Sequence, residues 1–132
     1  KNSGLELLDD KRSIIIEKIK TLIVTLIHES EEIPKVNYSK YLSQKAGYDY
    51  TYLANIFSEV KGITIQQFII NHKIERVKEL LIYDELSLTE ISYKLHYSSV
   101  AHLSNQFKKT TGLTPTFYRQ LKDKRKQNLE DV

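Results

Sequence analysis

The chain has 132 residues, a net charge of +3 and no cysteine. This length predicts one domain or two very small ones, and the composition excludes a disulfide framework or a thiolate metal site. No apolar run approaches the ~20 residues that span a bilayer, and no signal peptide is visible, so we expect no membrane partner. Methionine is absent even from position 1, which leads us to expect a fragment whose upstream part is missing.

Basic side chains are concentrated in the C-terminal half of the chain. Residues 61–132 carry 12 basic and 8 acidic side chains, whereas residues 1–60 carry 8 and 9. Within residues 94–126 only Asp123 opposes the cations, which are Lys94, Lys108, Lys109, Arg119, Lys122, Lys124, Arg125 and Lys126. Such a basic patch would indicate phosphate binding if a helix-turn-helix lay within it. The alternative is a solvated face with a basic tail.

Residues 1–35 predict an N-terminal arm and a long scaffold helix. The arm, GLELLDD, could end a strand or dock as a short segment, and it would be the last element of a missing domain. Residues 10–29 predict the helix, since Asp9 and Asp10 suit its N-terminus and one face is apolar. That face comprises Ile15, Ile16, Ile19, Leu22, Ile23, Leu26 and Ile27. We expect it to pack on the next helices; a dimer seam or a joint to a missing domain is the alternative. The acidic loop at 29–34 would repel a polyanion such as DNA, so it should face away from any nucleic-acid partner.

Residues 36–63 predict a first helix-turn-helix. Asn37 is a candidate N-cap, and small residues at Ser43 and Ala46 allow two helices to cross closely. Gly47 begins the turn, and Asp49 is the candidate N-cap of the next helix. The second helix is anchored by buried apolar residues and closed by a C-cap glycine; these are Leu53, Ile56, Phe57 and Gly62.

Residues 64–83 predict a linker helix. Thr64 and Gln67 have the spacing of a capping box, and an apolar stripe follows: Phe68, Ile69, Ile74, Val77, Leu80 and Leu81. About 19 residues at ~1.5 Å each give roughly 28 Å. That length is near one DNA turn of ~34 Å, so one chain could imitate a dimer.

Residues 84–127 predict a second helix-turn-helix and a C-terminal helix, with 128–132 as a tail. Ser87 and Glu90 form a capping box, and the apolar positions Leu88, Ile91 and Leu95 recur at helical spacing. The run 96–99 breaks the helix, and either serine in it can cap the next one. The later signals are a C-cap glycine, a Thr-Pro helix start and inward apolar residues: Leu103, Phe107, Gly112, Thr114, Pro115, Phe117, Tyr118 and Leu121.

The two helix-turn-helices are an internal repeat. Six pairs are 50 residues apart: Leu53/Leu103, Asn55/Asn105, Phe57/Phe107, Gly62/Gly112, Thr64/Thr114 and Phe68/Tyr118. Before the turn the offset is 49: Leu42/Ile91, Ser43/Ser92 and Tyr48/Tyr97. The second turn is therefore one residue longer, as expected of a duplicated unit that changed in a loop.

Residues 36–121 resemble the C-terminal DNA-binding domain of the AraC/XylS family of bacterial transcription regulators. The matching residues are Leu88, Glu90, Ile91, Tyr97, Ser98, Leu103, Phe107, Lys108, Gly112, Thr114, Pro115, Tyr118 and Arg119. The residue type differs from the family's usual one at six positions, two of which are among those just named. The family usually has alanine at Ser92, glycine at His96, and phenylalanine at Tyr97 and Leu103. In the linker helix it usually has arginine at Lys73 and alanine at Val77. At the glycine position a side chain costs more for φ > 0.

The resemblance implies an all-α fold of about seven helices, in which two helix-turn-helix units are joined by a long linker helix. It also implies that the family's base-reading positions fall on Thr51, Ala54, Asn55, Ala101, Ser104 and Asn105. Asparagine can pair bidentately with adenine, so we expect an A·T-leaning operator. His102 could contact a base or a phosphate.

The candidate phosphate contacts are Lys94, Lys108, Lys109, Arg119 and Lys122. Arg119 could instead brace the last helix. The resemblance further implies double-stranded DNA as the partner, a sensor or dimerisation domain upstream, and RNA polymerase as a candidate partner. It implies a transcription regulator, such as an activator, in the cytoplasm at the nucleoid, with no cofactor.

Two other classes of function compete with this interpretation. An enzyme is disfavoured, because the four histidines (His28, His72, His96 and His102) show no metal-ligand spacing and no nucleophile motif accompanies them. We expect no catalytic and no metal-binding residue. A protein-interaction module on a degenerate helix-turn-helix is more credible, given the apolar first helix and a tyrosine-rich stretch: Tyr38, Tyr41, Tyr48, Tyr50 and Tyr52. Binding that weakens steeply with salt would favour DNA.

Overall fold

A computed structural model describes residues 4–30, 33–83 and 86–130, and these contain seven α-helices and no strand. Their bounds are α1 Gly4–Val24, α2 Tyr38–Ala46, α3 Tyr50–Lys61, α4 Ile65–Ile82, α5 Leu88–Lys94, α6 Val100–Thr111 and α7 Pro115–Glu130. The prediction of an all-α fold with about seven helices is therefore confirmed. The chain divides into two compact units, Lys1–Ile70 and Asn71–Val132, and the division falls inside α4.

The first helix differs from the prediction at both ends. The arm is neither a strand end nor a docked loop, because α1 is helical from Gly4. At its other end α1 passes into a π-helical turn, Thr25–Glu29. Leu26 and Ile27 of this turn are buried together with the isoleucines of the predicted face, whereas Leu22 is only half-buried. Of the acidic loop, residues 31 and 32 lie outside the described residues, as do residues 1–3 of the arm, residues 84 and 85, and residues 131 and 132.

The core of the first unit forms where α1 packs on α2 and α3. Its buried members from the first helix-turn-helix are Leu42, Leu53, Ile56 and Phe57. Phe57 and Phe68 meet edge to face, with ring centroids 5.4 Å apart. This arrangement matches the quadrupoles of the two rings, and it ties the second helix of the motif to the start of α4.

The second unit repeats this plan at the positions that the sequence repeat predicts. Leu103 and Phe107 of α6 are fully buried, as are Ile91 and Leu95 of the α5 segment. Phe107 and Tyr118 also meet edge to face, at 5.5 Å between centroids. The two ring pairs, Phe57–Phe68 and Phe107–Tyr118, correspond residue for residue at an offset of 50.

Most of the predicted helix caps are present. Ser87 Oγ accepts a hydrogen bond from Glu90 N at 3.1 Å, and Ser87 N donates to Glu90 Oε1 at 3.1 Å, which completes the capping box. Asn37 Oδ1 accepts from Lys40 N at 3.2 Å, and Thr64 Oγ1 accepts from Gln67 N at 2.9 Å. Asp49 lies at the N-cap of α3 as predicted, but its side chain makes no capping hydrogen bond.

The two turns share a left-handed residue. Gly47 has φ +80°, and His96, its counterpart at an offset of 49, has φ +62°. Gly47 is followed by one residue before the N-cap Asp49, whereas His96 is followed by two before the N-cap Ser99. The predicted extra residue in the second turn is thus confirmed, and His96 adopts the conformation for which the family usually has glycine.

The predicted inward face of the last helix is wrong at two positions. Phe117 and Leu121 are 47% and 44% exposed. The residues turned toward the unit are Pro115, which is buried, and Tyr118 and Lys122, which are half-buried. Tyr118 must meet Phe107, and residues three or four apart share a helix face. That contact fixes the phase of α7 and leaves Phe117 and Leu121 on its outer side.

Candidate nucleic-acid interface

The outer face of α3 carries the predicted base-reading residues of the first unit. Thr51 and Asn55 are exposed, and Ala54 is half-buried. The opposite face is closed by Leu53 and Phe57, which have no exposed surface. The helix therefore has one face fixed in the core and one face available to the edges of bases.

The outer face of α6 is built in the same way. Ala101, His102 and Asn105 are exposed, and Ser104 is half-buried. The helix begins at the N-cap Ser99, whose Oγ accepts from His102 N at 3.0 Å. Asn55 and Asn105 are the sixth residues of their helices, so the two units present the same amide group at the same helical position.

The side chain of His102 is held by the turn before it. Its Nδ1 lies 3.1 Å from Ser98 Oγ, and its ring meets the ring of Tyr97 edge to face at 5.1 Å between centroids. The Tyr97 hydroxyl donates to Gln106 Oε1 at 2.6 Å. These contacts limit the rotamers of an exposed histidine, which lowers the side-chain entropy that any further contact would cost.

The predicted phosphate contacts have different surroundings. Lys108 and Lys109 are exposed in the last turn of α6, where cations also suit the helix dipole. Lys94 is half-buried in the last turn of α5. Lys122 is half-buried, with its Nζ 5.5 Å from the centre of the Tyr118 ring. Burial raises the pKa of the Tyr118 hydroxyl, and the nearby ammonium of Lys78 partly opposes that shift.

Arg119 braces the second unit. Its Nε donates to the carbonyl oxygen of Leu81 at 2.8 Å, and its Nη2 donates to that of Leu86. A guanidinium can hold two acceptors in one plane, and here it joins α7 to both ends of the connection between α4 and α5. Of the two roles considered for Arg119, these hydrogen bonds favour bracing.

Lys73 of α4 has a role that sequence reasoning missed. Its Nζ lies over the Tyr97 ring at 4.2 Å from the centroid. Burial lowers the pKa of the Lys73 ammonium, and the ring face offsets part of the cost of burying that charge. In the first unit, Lys11 lies over Tyr48 at 5.4 Å. Both contacts join residues far apart in sequence, and no local signal could have found them.

Two other features are absent from the part of the chain that the structure describes. There, no group of three or more His, Cys, Asp or Glu side chains could hold a metal ion. Among the same residues, no helix is both long and apolar enough to cross a bilayer.

The chain has two helix-turn-helix units. In each unit the second helix has a polar outer face and an inner face closed by leucine and phenylalanine. This arrangement places the chain in the class of helix-turn-helix DNA-binding proteins. Within that class, residues 42–121 match the family model described as "Helix-turn-helix domain". This is more than half of the chain, and the chain belongs to the AraC/XylS family of transcription regulators. Members of this family are regulators and not enzymes.

Two curated relatives are regulators. The chain is 28% identical to the uncharacterized HTH-type transcriptional regulator YtdP of Bacillus subtilis over 81 residues. This aligned segment covers 61% of the chain and 10% of YtdP. It is 33% identical over 99 residues to the F1 operon positive regulatory protein of Yersinia pestis, which covers 75% of the chain and 33% of that protein. The chain thus spans a third or less of the length of these relatives.

Two solved structures share the fold. The C-terminal domain of the two-component response regulator YesN from Fusobacterium nucleatum is 30% identical, with a TM-score of 0.63 over 77% of this chain and 98% of that one. The DNA-binding domain of AdpA, solved in complex with a target DNA, is 17% identical, with a TM-score of 0.70 over 83% of this chain and 94% of that one. At that identity the likeness to AdpA concerns the fold alone.

Proposed function

We propose that this chain binds double-stranded DNA sequence-specifically, with α3 and α6 reading successive major-groove segments on one face of the duplex. The observation that carries this proposal is the repeated outer face: Asn55 and Asn105 are both exposed at the sixth position of their helices. A helix fits the major groove of B-DNA, and an asparagine there pairs bidentately with adenine. The target would thus be two short A·T-leaning boxes.

The remaining candidate residues have two further roles in this proposal. Thr51, Ala54, Ala101 and Ser104 complete the base-reading faces, where methyl groups can contact the methyl group of thymine. His102 contacts a base or a phosphate. Lys94, Lys108, Lys109 and Lys122 supply the sequence-independent attraction to phosphates.

We further propose these domain boundaries: 1–35 N-terminal arm and scaffold helix, 36–63 first motif, 64–83 linker, 84–127 second motif with C-terminal helix, and 128–132 tail. The last boundary lies inside α7, which continues to Glu130. The chain would act within a longer regulator that has a sensor or dimerisation domain. The name of the Yersinia pestis relative, a positive regulatory protein, favours activation and so a contact with RNA polymerase.

The experiment that tests the proposal is selection of the chain on randomised DNA duplexes at two salt concentrations, followed by sequencing. Two A·T-leaning boxes about one turn apart support it. The variants Asn55→Ala and Asn105→Ala should each relax base preference at one position in a different box. A single box would reject reading by both helices, and retention without any sequence preference would reject base reading altogether. No retention at either salt would favour a protein-interaction module.

A further inference from the structure

Each turn between the two helices of a motif carries a tyrosine that lies against a lysine from the preceding long helix. In the first unit Lys11 of α1 lies over Tyr48, with its Nζ 5.4 Å from the ring centroid. In the second unit Lys73 of α4 lies over Tyr97 at 4.2 Å. The two lysines are 62 residues apart, whereas the tyrosines are 49 apart. The contact therefore recurs although the sequence spacing behind it does not.

The tyrosine of each turn also contacts the third residue of the helix that follows, which is α3 in the first unit and α6 in the second. The rings of Tyr48 and Tyr52 are 5.3 Å apart, tilted by 36°. Those of Tyr97 and His102 are 5.1 Å apart, at 81°. The third residue is a tyrosine in one unit and a histidine in the other, so the same relation is kept with different chemistry.

In the second unit the tyrosine makes one more contact with the polar helix. Its hydroxyl donates to Gln106 Oε1 at 2.6 Å, one helical turn beyond His102. The counterpart of Gln106 in the first unit is Ile56, which is buried and apolar. Tyr97 is itself buried, whereas Tyr48 is half-buried. The tyrosine of the second turn is thus more deeply buried than that of the first, and it makes one more contact with the helix that follows it.

We propose that Tyr48 and Tyr97 are positioning residues for DNA recognition. The lysine of the preceding long helix packs on each ring, and the ring fixes the position of the first turn of α3 or α6. The lysine, the tyrosine and the third helical residue together form what we term the turn clamp: Lys11, Tyr48 and Tyr52 in the first unit, and Lys73, Tyr97 and His102 in the second. This inference rests on the proposed role of α3 and α6 as readers of two boxes, because a shift of the helix start alters which base edges its outer residues reach.

The test compares Lys11→Met with Lys73→Met in the two-box selection. Methionine keeps the unbranched apolar stem of lysine and most of its length, but it removes the charge over the ring. A cation over an aromatic ring is worth enough for a loss of about threefold to tenfold in discrimination between the right and wrong base. We expect Lys73→Met to lose that discrimination only in the box read by α6 (the α6 box), and Lys11→Met only in the box read by α3 (the α3 box). The affinity of both variants for random DNA should change little.

Two matched variants separate positioning from charge. Lys18→Met removes an exposed lysine of α1 and should leave both boxes unchanged. Lys73→Arg keeps a cation that stacks on an aromatic face, so this variant should retain the discrimination in the α6 box that Lys73→Met loses. Equal losses in both boxes, or equal losses with random DNA, would mean that the lysines act only through net charge, and would overturn the inference.

A second readout needs no DNA. The ring current of Tyr97 displaces the imidazole proton resonances of His102, and Tyr97→Leu gives their position without the ring. If Lys73 holds the ring, Lys73→Met moves these resonances toward the Tyr97→Leu position. Resonances that stay in place would overturn the inference even if the chain selects DNA normally. A wild-type chain that selects no sequence would instead reject the proposed function, and the His102 resonances would still decide whether the clamp positions α6.

Discussion

The left-handed conformation of His96 predicts that the chain gains stability when this residue is replaced by glycine. His96 has φ +62°, and a residue with a side chain pays about 1–2 kcal/mol for this conformation. Glycine removes that cost but adds about 0.4–1 kcal/mol of chain entropy to the unfolded state. The variant His96→Gly should therefore raise the free energy of unfolding by about 0.5–1 kcal/mol.

Urea titration followed by circular dichroism measures this change, and a thermal melt should show a rise of about 2–5 °C. The matched control is His96→Ala, which loses the imidazole but keeps the Cβ at positive φ, and it should show no gain. The converse variant is Gly47→Ala. A Cβ at Gly47 would meet no atom within 4 Å, so its expected cost of about 1 kcal/mol reports the backbone conformation alone.

Two results would refute this reasoning. If His96→Gly is no more stable than His96→Ala, the left-handed conformation of this residue carries no measurable strain. If Gly47→Ala is neutral, the first turn tolerates a side chain, and the glycine is not needed for its conformation.

Three further predictions concern the brace, a helix cap and the phosphate contacts. Arg119→Ala should lower the free energy of unfolding by about 2–3 kcal/mol in urea titration, since hydrogen bonds from a charged donor to two carbonyls are lost; Arg119→Lys should recover less than half, because one ammonium lacks the planar fork, and full recovery would argue against the brace. Hydrogen bonds from Ser87 lower the pKa of Glu90, so the cap's contribution is complete above the ordinary glutamate pKa of about 4.3 and is lost as the pH falls through the lower folded value. The stability gap between the wild type and Glu90→Ala should close over that acid range, and a gap that persists at lower pH would show that charge is not involved. Lys108→Ala should weaken binding to all DNA sequences alike and flatten the salt slope by about one, unlike Asn105→Ala; a change in base preference would show that Lys108 reads bases.

Local chemistry could be predicted well from the sequence. The capping box of Ser87 and Glu90 and the glycine C-caps at Gly62 and Gly112 depend on residues within one turn of each other, and all are present. The repeat predicted equivalent positions, because a duplicated unit keeps its core. Asp49 shows the limit of this reasoning: its type and position fit an N-cap, but its side chain makes no capping hydrogen bond.

Contacts between distant residues could not be predicted. Lys11 and Tyr48 are 37 positions apart, and their contact depends on how α1 packs on the first motif. The phase of α7 likewise follows from the contact between Phe107 and Tyr118, so its own apolar residues gave the wrong inner face. The hydrogen bonds of Arg119 depend on the path of a connection that lies 33 to 38 residues earlier.

The duplicated ring pairs have a consequence for the response to heat. Each pair lies within one unit: Phe57 and Phe68 belong to the first, and Phe107 and Tyr118 belong to the second. Regions with separate cores can open at different free energies, so warming can melt one unit before the other. In the two-box proposal, a partly melted chain keeps one reading helix and falls back to weaker, single-box binding. As the temperature rises, the occupancy of the operator would then fall in two steps instead of one.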